Sequence, residues 1–381
     1  MEVRGFLLEH QVEEGIDLCH KGVLLDSIGQ RKHINPAAAV IQDEIAGAGI
    51  ISVARFMELA LYHPAHGYYR KSPIGKSGDF FTSVSVGPLF GQMLAYLLAK
   101  RLAGLPGEIQ IVEAGANDGS LAADILGWLH LNSPQLAQRA RYIVVEPIAE
   151  LQERQRQKLA KRRVDWATSI DDLPRVHGAI ISNELLDAFP VHVFRWSTRE
   201  SRWREFGVDA NSSLAEMPAL PDWAADSLKE LKPLEPYLPE NFTVEFSPAA
   251  EAWWSAAAQK LSEGLMAAID YGDEAAGLWS PARRDGTLRG FRNHKLVENP
   301  FADPGEQDIT ASVNFTRIRA VGERARLTSE PLRTQDQFLT KIAAEFLVNP
   351  TANEVRQFQT LIHPEHLGRA FKVLVQSRIN S

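Results

Sequence analysis

Several short apolar runs end in acids or amides. Glu113 follows Ile109, Ile111 and Val112, and Glu146 follows Tyr142-Ile143-Val144-Val145. Asn183-Glu184 follows Ala179-Ile180-Ile181-Ser182, and Asp270 sits inside Leu265 to Tyr271. Such runs are what buried parallel strands require. In an open α/β sheet, ligands bind off the carboxyl ends of the strands, so these groups converge on one crevice. A polar strand end is also an ordinary solvent-facing terminus, so no single one decides. The turn after the first strand adds the specific signal. Gly115 and Gly119 bring a ligand against backbone with no Cβ in the way, and Asn117 between them tolerates a left-handed turn. Alone, this is an ordinary strand-to-helix turn, with Ser120 placed to cap the helix that carries Leu121, Ala122, Ile125 and Leu126.

The spacing of these groups narrows the ligand. Glu146 lies about 30 residues beyond the glycines, where dinucleotide folds place an acid on the adenosine ribose. The glycine pattern is Gly-x-x-x-Gly, however, with no basic residue beside it for a phosphate and no Gly-Lys-Ser/Thr. An adenosine ligand without phosphates and with a cationic sulfur, S-adenosyl-L-methionine, suits an acid-rimmed site better. The segment Asn183 to Pro190 then stands over the transferring methyl. Glu184 and Asp187 there hold a guanidinium bidentately, take a proton from an amine or hydroxyl, or simply cap the next helix. Methyl transfer is an in-line displacement, so alignment supplies much of the catalysis.

The elements that must position these groups read as a doubly wound α/β sheet, Rossmann-like and of the Class I methyltransferase type. Residues 1–105 form an N-terminal arm and helical cap. Residues 106–190 are the first part of the cofactor-binding core, 191–262 an inserted α+β subdomain, and 263–381 the completion of the sheet. Within the first part, residues 1–35 read as an irregular or helical arm. Pro36 starts a helix ending near Gly47 or Gly49, Ser52 caps another running to His63, and a third spans Pro88 to about Ala103. His63 and His66 sit in an aromatic turn with no third ligand nearby, which reads as a turn and not a metal site. The alternation of Val191 to Trp196 with Arg202 to Val208 reads as a hairpin. Phe371 to Gln376 is the last strand, with Val321 to Leu327 as its antiparallel edge partner.

Composition sets the limits. A chain of 381 residues with 45% apolar and 23% charged residues is globular and large enough for one or two domains. Its formal charge of −7 argues against a general nucleic-acid binder. One cysteine, Cys19, excludes an internal disulfide and suits a reducing compartment. The longest apolar run, Met93 to Ala99, is too short to span a bilayer, and the first residues lack the order of a secretion signal. The expected location is cytoplasmic. The expected partner is a methyl acceptor, protein or small molecule, with no nucleic acid, no membrane insertion and a homodimer as the assembly.

Blocks of sequence in one order carry a resemblance. They are Tyr62-His63-Pro64 with Gly67-Tyr68-Tyr69, Gly78-Asp79-Phe80-Phe81-Thr82-Ser83, Phe90-Gly91, and Glu113-Ala114-Gly115 with Gly119-Ser120-Leu121-Ala122-Ala123-Asp124. Then follow Asn183-Glu184, Asp187 to His192, Asp270-Tyr271-Gly272, Gly286-Thr287-Leu288-Arg289 with His294, and Pro304 to Thr310. From about Ser52 to Phe315 the chain resembles the MidA-type methyltransferases, which include a mitochondrial complex I assembly factor that forms symmetric dimethylarginine. The resemblance implies a Rossmann-like core with added helical and inserted elements, and S-adenosyl-L-methionine as cofactor. By position, Gly78, Asp79 and Thr82 would close over the cofactor, with Glu113, Gly115, Asn117, Gly119 and Glu146 beneath it. Asn183 would face both cofactor and acceptor, and Glu184 and Asp187 would face the acceptor. No metal is implied. The chain departs from the family at Thr82-Ser83-Val84-Ser85, where Thr-Ser-Pro-Glu is expected, and at Asn117, Ser312 and Asn314, where Gly, His and Asp are usual. The alternatives are a diverged small-molecule O- or N-methyltransferase with His192 or His294 as base, and a non-catalytic assembly factor that keeps the fold.

Overall fold

Pro36 at a first helical position and Ser52 at a cap begin two helices, α1 (Pro36–Ala48) and α2 (Val53–Tyr62), the second capped as Ser52 Oγ accepts from Arg55 N. The computed structural model describes residues 35–71, 82–293 and 295–379, so the arm expected over residues 1–35 falls outside it save for Asn35. After α3 (Leu89–Leu102) strands and helices alternate: β1 (Ile109–Ala114), α4 (Ser120–Asn132), β2 (Ala140–Val145), α5 (Ala149–Leu159), β3 (Val164–Ala167) and β4 (Val176–Asn183). A long crossover ends in α6 (Pro248–Lys260) and returns to β5 (Leu261–Asp273). Helices α7 (Phe315–Arg324), α8 (Gln335–Phe346) and α9 (Ala352–Leu361) precede the last strand, β6 (Phe371–Arg378).

The main sheet runs β3-β2-β1-β4-β5-β6, with the first five strands parallel and β6 antiparallel to β5. Strand order reverses between β1 and β4, and a crevice opens at such a reversal, off the carboxyl ends. Helices bury both faces. Leu94, Leu98, Ile125 and Leu339 belong to the core on one side, and Ala250, Trp254, Ala257 and Ile318 to the core on the other. That double coverage is why the strands are continuously apolar.

Two sequence expectations change. Val321 to Arg324 is the end of α7, not an edge strand. Asn314 Oδ1 caps that helix at Arg317 N, and Phe315, Ile318 and Val321 recur at helical spacing on its buried side. The neighbours of β6 on that side are Thr328–Ser329 and Arg333–Thr334. Ser120 is the first residue of α4, and Gly119 occupies the cap. The side chain of Asp118 performs the capping, taking Ser120 N and Ser120 Oγ at 2.9 Å each.

The segment 191–262 builds a second, antiparallel sheet. The expected hairpin is present as His192–Ser197 paired with Arg202–Asp209, flanked by Thr243–Phe246 and Leu214–Glu216. Ile50–Ser52 joins the same sheet from far upstream, and α6 lies on the main sheet, so this segment is woven into the rest. Residues 36–381 form one compact unit. A third small sheet pairs Arg289–Arg292 with Lys295–Val297 and Asp308–Thr310. Among the described residues no helix is long and apolar enough to cross a membrane.

Candidate active site

The chain leaves β1 through three left-handed residues in five: Gly115 (φ 70°), Asn117 (φ 52°) and Gly119 (φ 79°). A Cβ on Gly115 would stand 2.8 Å from Leu185 Cδ1, so the turn passes directly against the segment leaving β4. Glu146 follows β2 and is 3% exposed. Its Oε1 accepts from Ile148 N at 3.0 Å and its Oε2 from Gln155 Nε2 at 3.2 Å. The same Gln155 nitrogen donates to Asn117 O at 2.8 Å, and Gln155 Oε1 accepts from Trp166 Nε1 at 3.0 Å. One glutamine of α5 thus ties the glycine turn, the acid and β3 together. Burial pushes Glu146 up to about 7, against the pull of its Ile148 and Gln155 bonds. Glu113 lies behind the turn, buried, with Tyr142 Oη donating to its Oε2 at 2.5 Å. Burial raises Glu113 to about 7, the Tyr142 bond opposing it.

The second half of the site gathers acids from three elements. Glu184, at φ 53°, leaves β4 and donates its N–H to Ile269 O at 2.9 Å. Its Oε1 accepts from Asn183 Nδ2 at 3.1 Å and from Ser83 N at 3.4 Å. Burial pushes its carboxyl up to about 8, with Asp270 and Asp308 adding to the rise. Asp270 of β5 clamps the turn after β4: its Oδ2 accepts from Leu185 N at 3.0 Å and Leu186 N at 2.7 Å. Burial raises it to about 6 despite those bonds. Burial carries Asp187 well above the usual carboxylate range, helped by the charges of Asp270, Asp308 and Glu184. Asp187 O accepts from Ala311 N at 3.0 Å, which docks the third sheet and brings Asp308 alongside. Tyr69 Oη donates to Asp308 Oδ1 at 2.8 Å and Tyr62 Oη to Ala188 O at 2.9 Å, their rings 5.4 Å apart. Tyr62 is raised by burial and then by the charges of Asp308, Asp187 and Glu146, so the two halves of the site meet at this ring.

The crevice therefore brings together Gly115, Asn117, Gly119, Glu146, Asn183, Glu184 and Asp187. Gly78 and Asp79 lie outside the described residues. Thr82 caps a four-residue helix, Ser83–Val86, and its N–H returns to Ser85 Oγ at 3.0 Å, so a serine does the capping-box work in place of the expected acid. Asn314 and Ser312 serve locally, as the α7 cap and as a donor to Thr287 Oγ1. His192 is apart from the acids. It pairs with Glu205 at 2.6 Å in the second sheet, edge-on to Trp223. His294 lies outside the described residues. His63 Nδ1 accepts from Ala65 N and His66 N, a turn geometry, and no metal-holding group of side chains occurs among the described residues. Sequence reasoning passed over Tyr62, Tyr69 and Gln155 as site residues. The aromatic turn held a signal for the tyrosines in its doubled Tyr68-Tyr69, but nothing local announces Gln155.

An adenosine sulfonium suits these groups. Asn183 Oδ1 is a buried acceptor with no donor among the described residues, and Gly115 leaves backbone bare against Leu185, two residues further along the chain. The sheet order, glycine turn and acid after β2 are those of an S-adenosyl-L-methionine-dependent methyltransferase. Comparison with known proteins agrees. Residues 93–331 match a family described as S-adenosyl-L-methionine-dependent methyltransferases. A superfamily member from Burkholderia thailandensis, described as a methyl transferase and bound to S-adenosyl-homocysteine, is 30% identical. It superposes with a TM-score of 0.77, covering 91% of this chain and 92% of its own. Protein arginine methyltransferase NDUFAF7, mitochondrial, is 27% identical in Homo sapiens, over 91% of this chain and 85% of that protein. The Danio rerio protein of that name is also 27% identical, over 87% of this chain and 84% of its own length. The chain belongs to the MidA family of methyltransferases, and its cofactor is S-adenosyl-L-methionine.

Proposed function

We propose that this enzyme methylates a guanidinium nitrogen of a protein arginine. One observation carries the reading. Asp270 is buried and Glu184 and Asp187 are half-buried at the carboxyl end of the sheet, and the strongest charged neighbours of Glu184 and Asp187 are other carboxylates. Buried acids are costly unless a cation and hydrogen bonds match them, and a planar guanidinium supplies both. The relatives named as protein arginine methyltransferases support the same acceptor.

Glu146, the turn from Gly115 to Gly119 and Asn183 would hold the cofactor, which supplies an electrophilic methyl on a sulfonium sulfur. Glu184 and Asp187 accept N–H bonds from the guanidinium and fix the nitrogen that receives the methyl. Transfer to that nitrogen releases one proton, which the Glu184 carboxylate takes. The Tyr62 and Tyr69 rings wall the site and keep water from it. Methylation of arginine-containing peptides by the Glu184→Gln variant tests this. We expect a fall of at least about 100-fold, with S-adenosyl-homocysteine affinity within about twofold of wild type in calorimetry. Wild-type turnover in the variant, or methylation of lysine peptides as readily as arginine ones, overturns it.

A further inference from the structure

Two buried glutamines of the C-terminal helices reach the short segment that runs into α3. Gln335, fully buried at the start of α8, accepts from Ser83 Oγ at 3.0 Å and donates through Nε2 to Leu361 O at 2.9 Å. Gln357 of α9 accepts from Leu89 N at 3.1 Å. The segment between these anchors presents Ser83 N to Glu184 Oε1. A continuous line therefore runs from the end of α9 through Gln335 and Ser83 to the acid assigned to the acceptor. Gln335 lies beyond residues 93–331, the part of the chain that matches the family.

We propose that Ser83 and Gln335 are positioning residues that hold the Ser83 amide on Glu184 and so set where that carboxylate points and how readily it ionises. The importance of Glu184 rests on the acceptor reading above; the hydrogen-bonded line does not. Among the described residues, Ser83 N is the one backbone donor on the Glu184 carboxyl. Asp270 from β5, Asp308 from the third sheet and Asp187 from the intervening turn all face Glu184 with like charge. A donor bonded to an ionised carboxylate favours that form, so losing Ser83 N moves Glu184 toward the protonated state. The hydroxyl of Ser83 has a different task. Anchored to Gln335, it keeps the amide aimed.

Ser83→Pro, which removes the amide N–H and the hydroxyl, set against Ser83→Ala, which removes the hydroxyl alone, separates the two roles. Ser83 is the first residue of its helix, where proline is favoured, and Thr82 already has the extended backbone (φ −101°, ψ 162°) that a following proline demands. The measurement is a carboxyl-carbon NMR titration of the full chain without acceptor, with the Glu184 signal assigned by its absence in Glu184→Gln. Ser83→Pro should raise the Glu184 midpoint by on the order of half a unit to one unit. Ser83→Ala and Gln335→Leu should raise it by less, while the Glu146 midpoint and S-adenosyl-homocysteine affinity stay at wild-type values. An unmoved Glu184 midpoint in both Ser83 variants overturns the proposal, and so does an equal shift of Glu146, which would mean general loosening. If Gln335→Leu does not fold, the Ser83 pair decides. Failure of the arginine reading shows separately, as arginine methylation that survives Glu184→Gln.

Discussion

At the scale of single residues, the site depends on carboxylates whose neighbours assign them different tasks. Glu146 keeps acceptor capacity after its bonds from Ile148 and Gln155, and faces the turn where adenosine would lie. Hydrogen bonds from ribose hydroxyls to an ionised acid contribute about 1.5–3 kcal/mol each. Glu146→Ala should therefore weaken S-adenosyl-homocysteine at least about tenfold in calorimetric titration; unchanged affinity would remove Glu146 from the cofactor set. These acids were legible in the sequence because each ends an apolar run, and a strand end points to one crevice. Tyr69 was not, because its partner Asp308 lies 239 positions away, and only docking of the third sheet brings them together. Gln155 was illegible for a related reason. In a charged, glutamine-rich helix it looks like its exposed neighbours, yet it is fully buried and reaches three segments outside α5.

At the scale of elements, the turn after β1 is set by two glycines with unequal constraints. Both have positive φ, which costs a non-glycine residue roughly 1–2 kcal/mol. Gly115 also faces Leu185 Cδ1 at 2.8 Å from its would-be Cβ, whereas Gly119 meets nothing nearer than 3.5 Å. Gly115→Ala should accordingly destabilise by about 2–4 kcal/mol and Gly119→Ala by about 1–2 kcal/mol in urea unfolding. Displacing Leu185 also disturbs the neighbouring Glu184, so only the Gly115 variant should lose activity beyond its loss of stability. Equal effects of the two substitutions would mean that the Leu185 contact relaxes freely. This turn and the five parallel strands were readable because local pattern and tertiary role coincide. The edge of the sheet was not. Val321 and Leu327 frame a run that looks strand-like only when its window omits Phe315 and Ile318, the upstream half of the helical stripe.

At the scale of the whole molecule, elements distant in sequence deliver acids to one end of one sheet, and folding has to bury them. Burial raises Asp270 to about 6, Glu113 and Glu146 to about 7, and Glu184 to about 8. Each group binds its proton more tightly in the folded chain than in the unfolded one. Its contribution to stability is fully present below the unfolded value and is lost as pH rises through the folded value. The unliganded enzyme should therefore lose thermal stability steadily between about pH 5 and about pH 8.5. Glu184→Gln removes the last of these four groups to titrate and cannot become a buried charge. Its melting temperature should exceed that of wild type by a margin that widens toward the alkaline end of the window. A bound guanidinium acts in the same direction by a different route, since its charge lets Glu184 ionise at little cost. Calorimetric melts across the window, with and without an arginine peptide, distinguish these effects. A wild-type melting temperature that climbs through pH 6 to 8 without ligand would mean that the acids are hydrated or paired, and that the crevice is not built to wait for a cation.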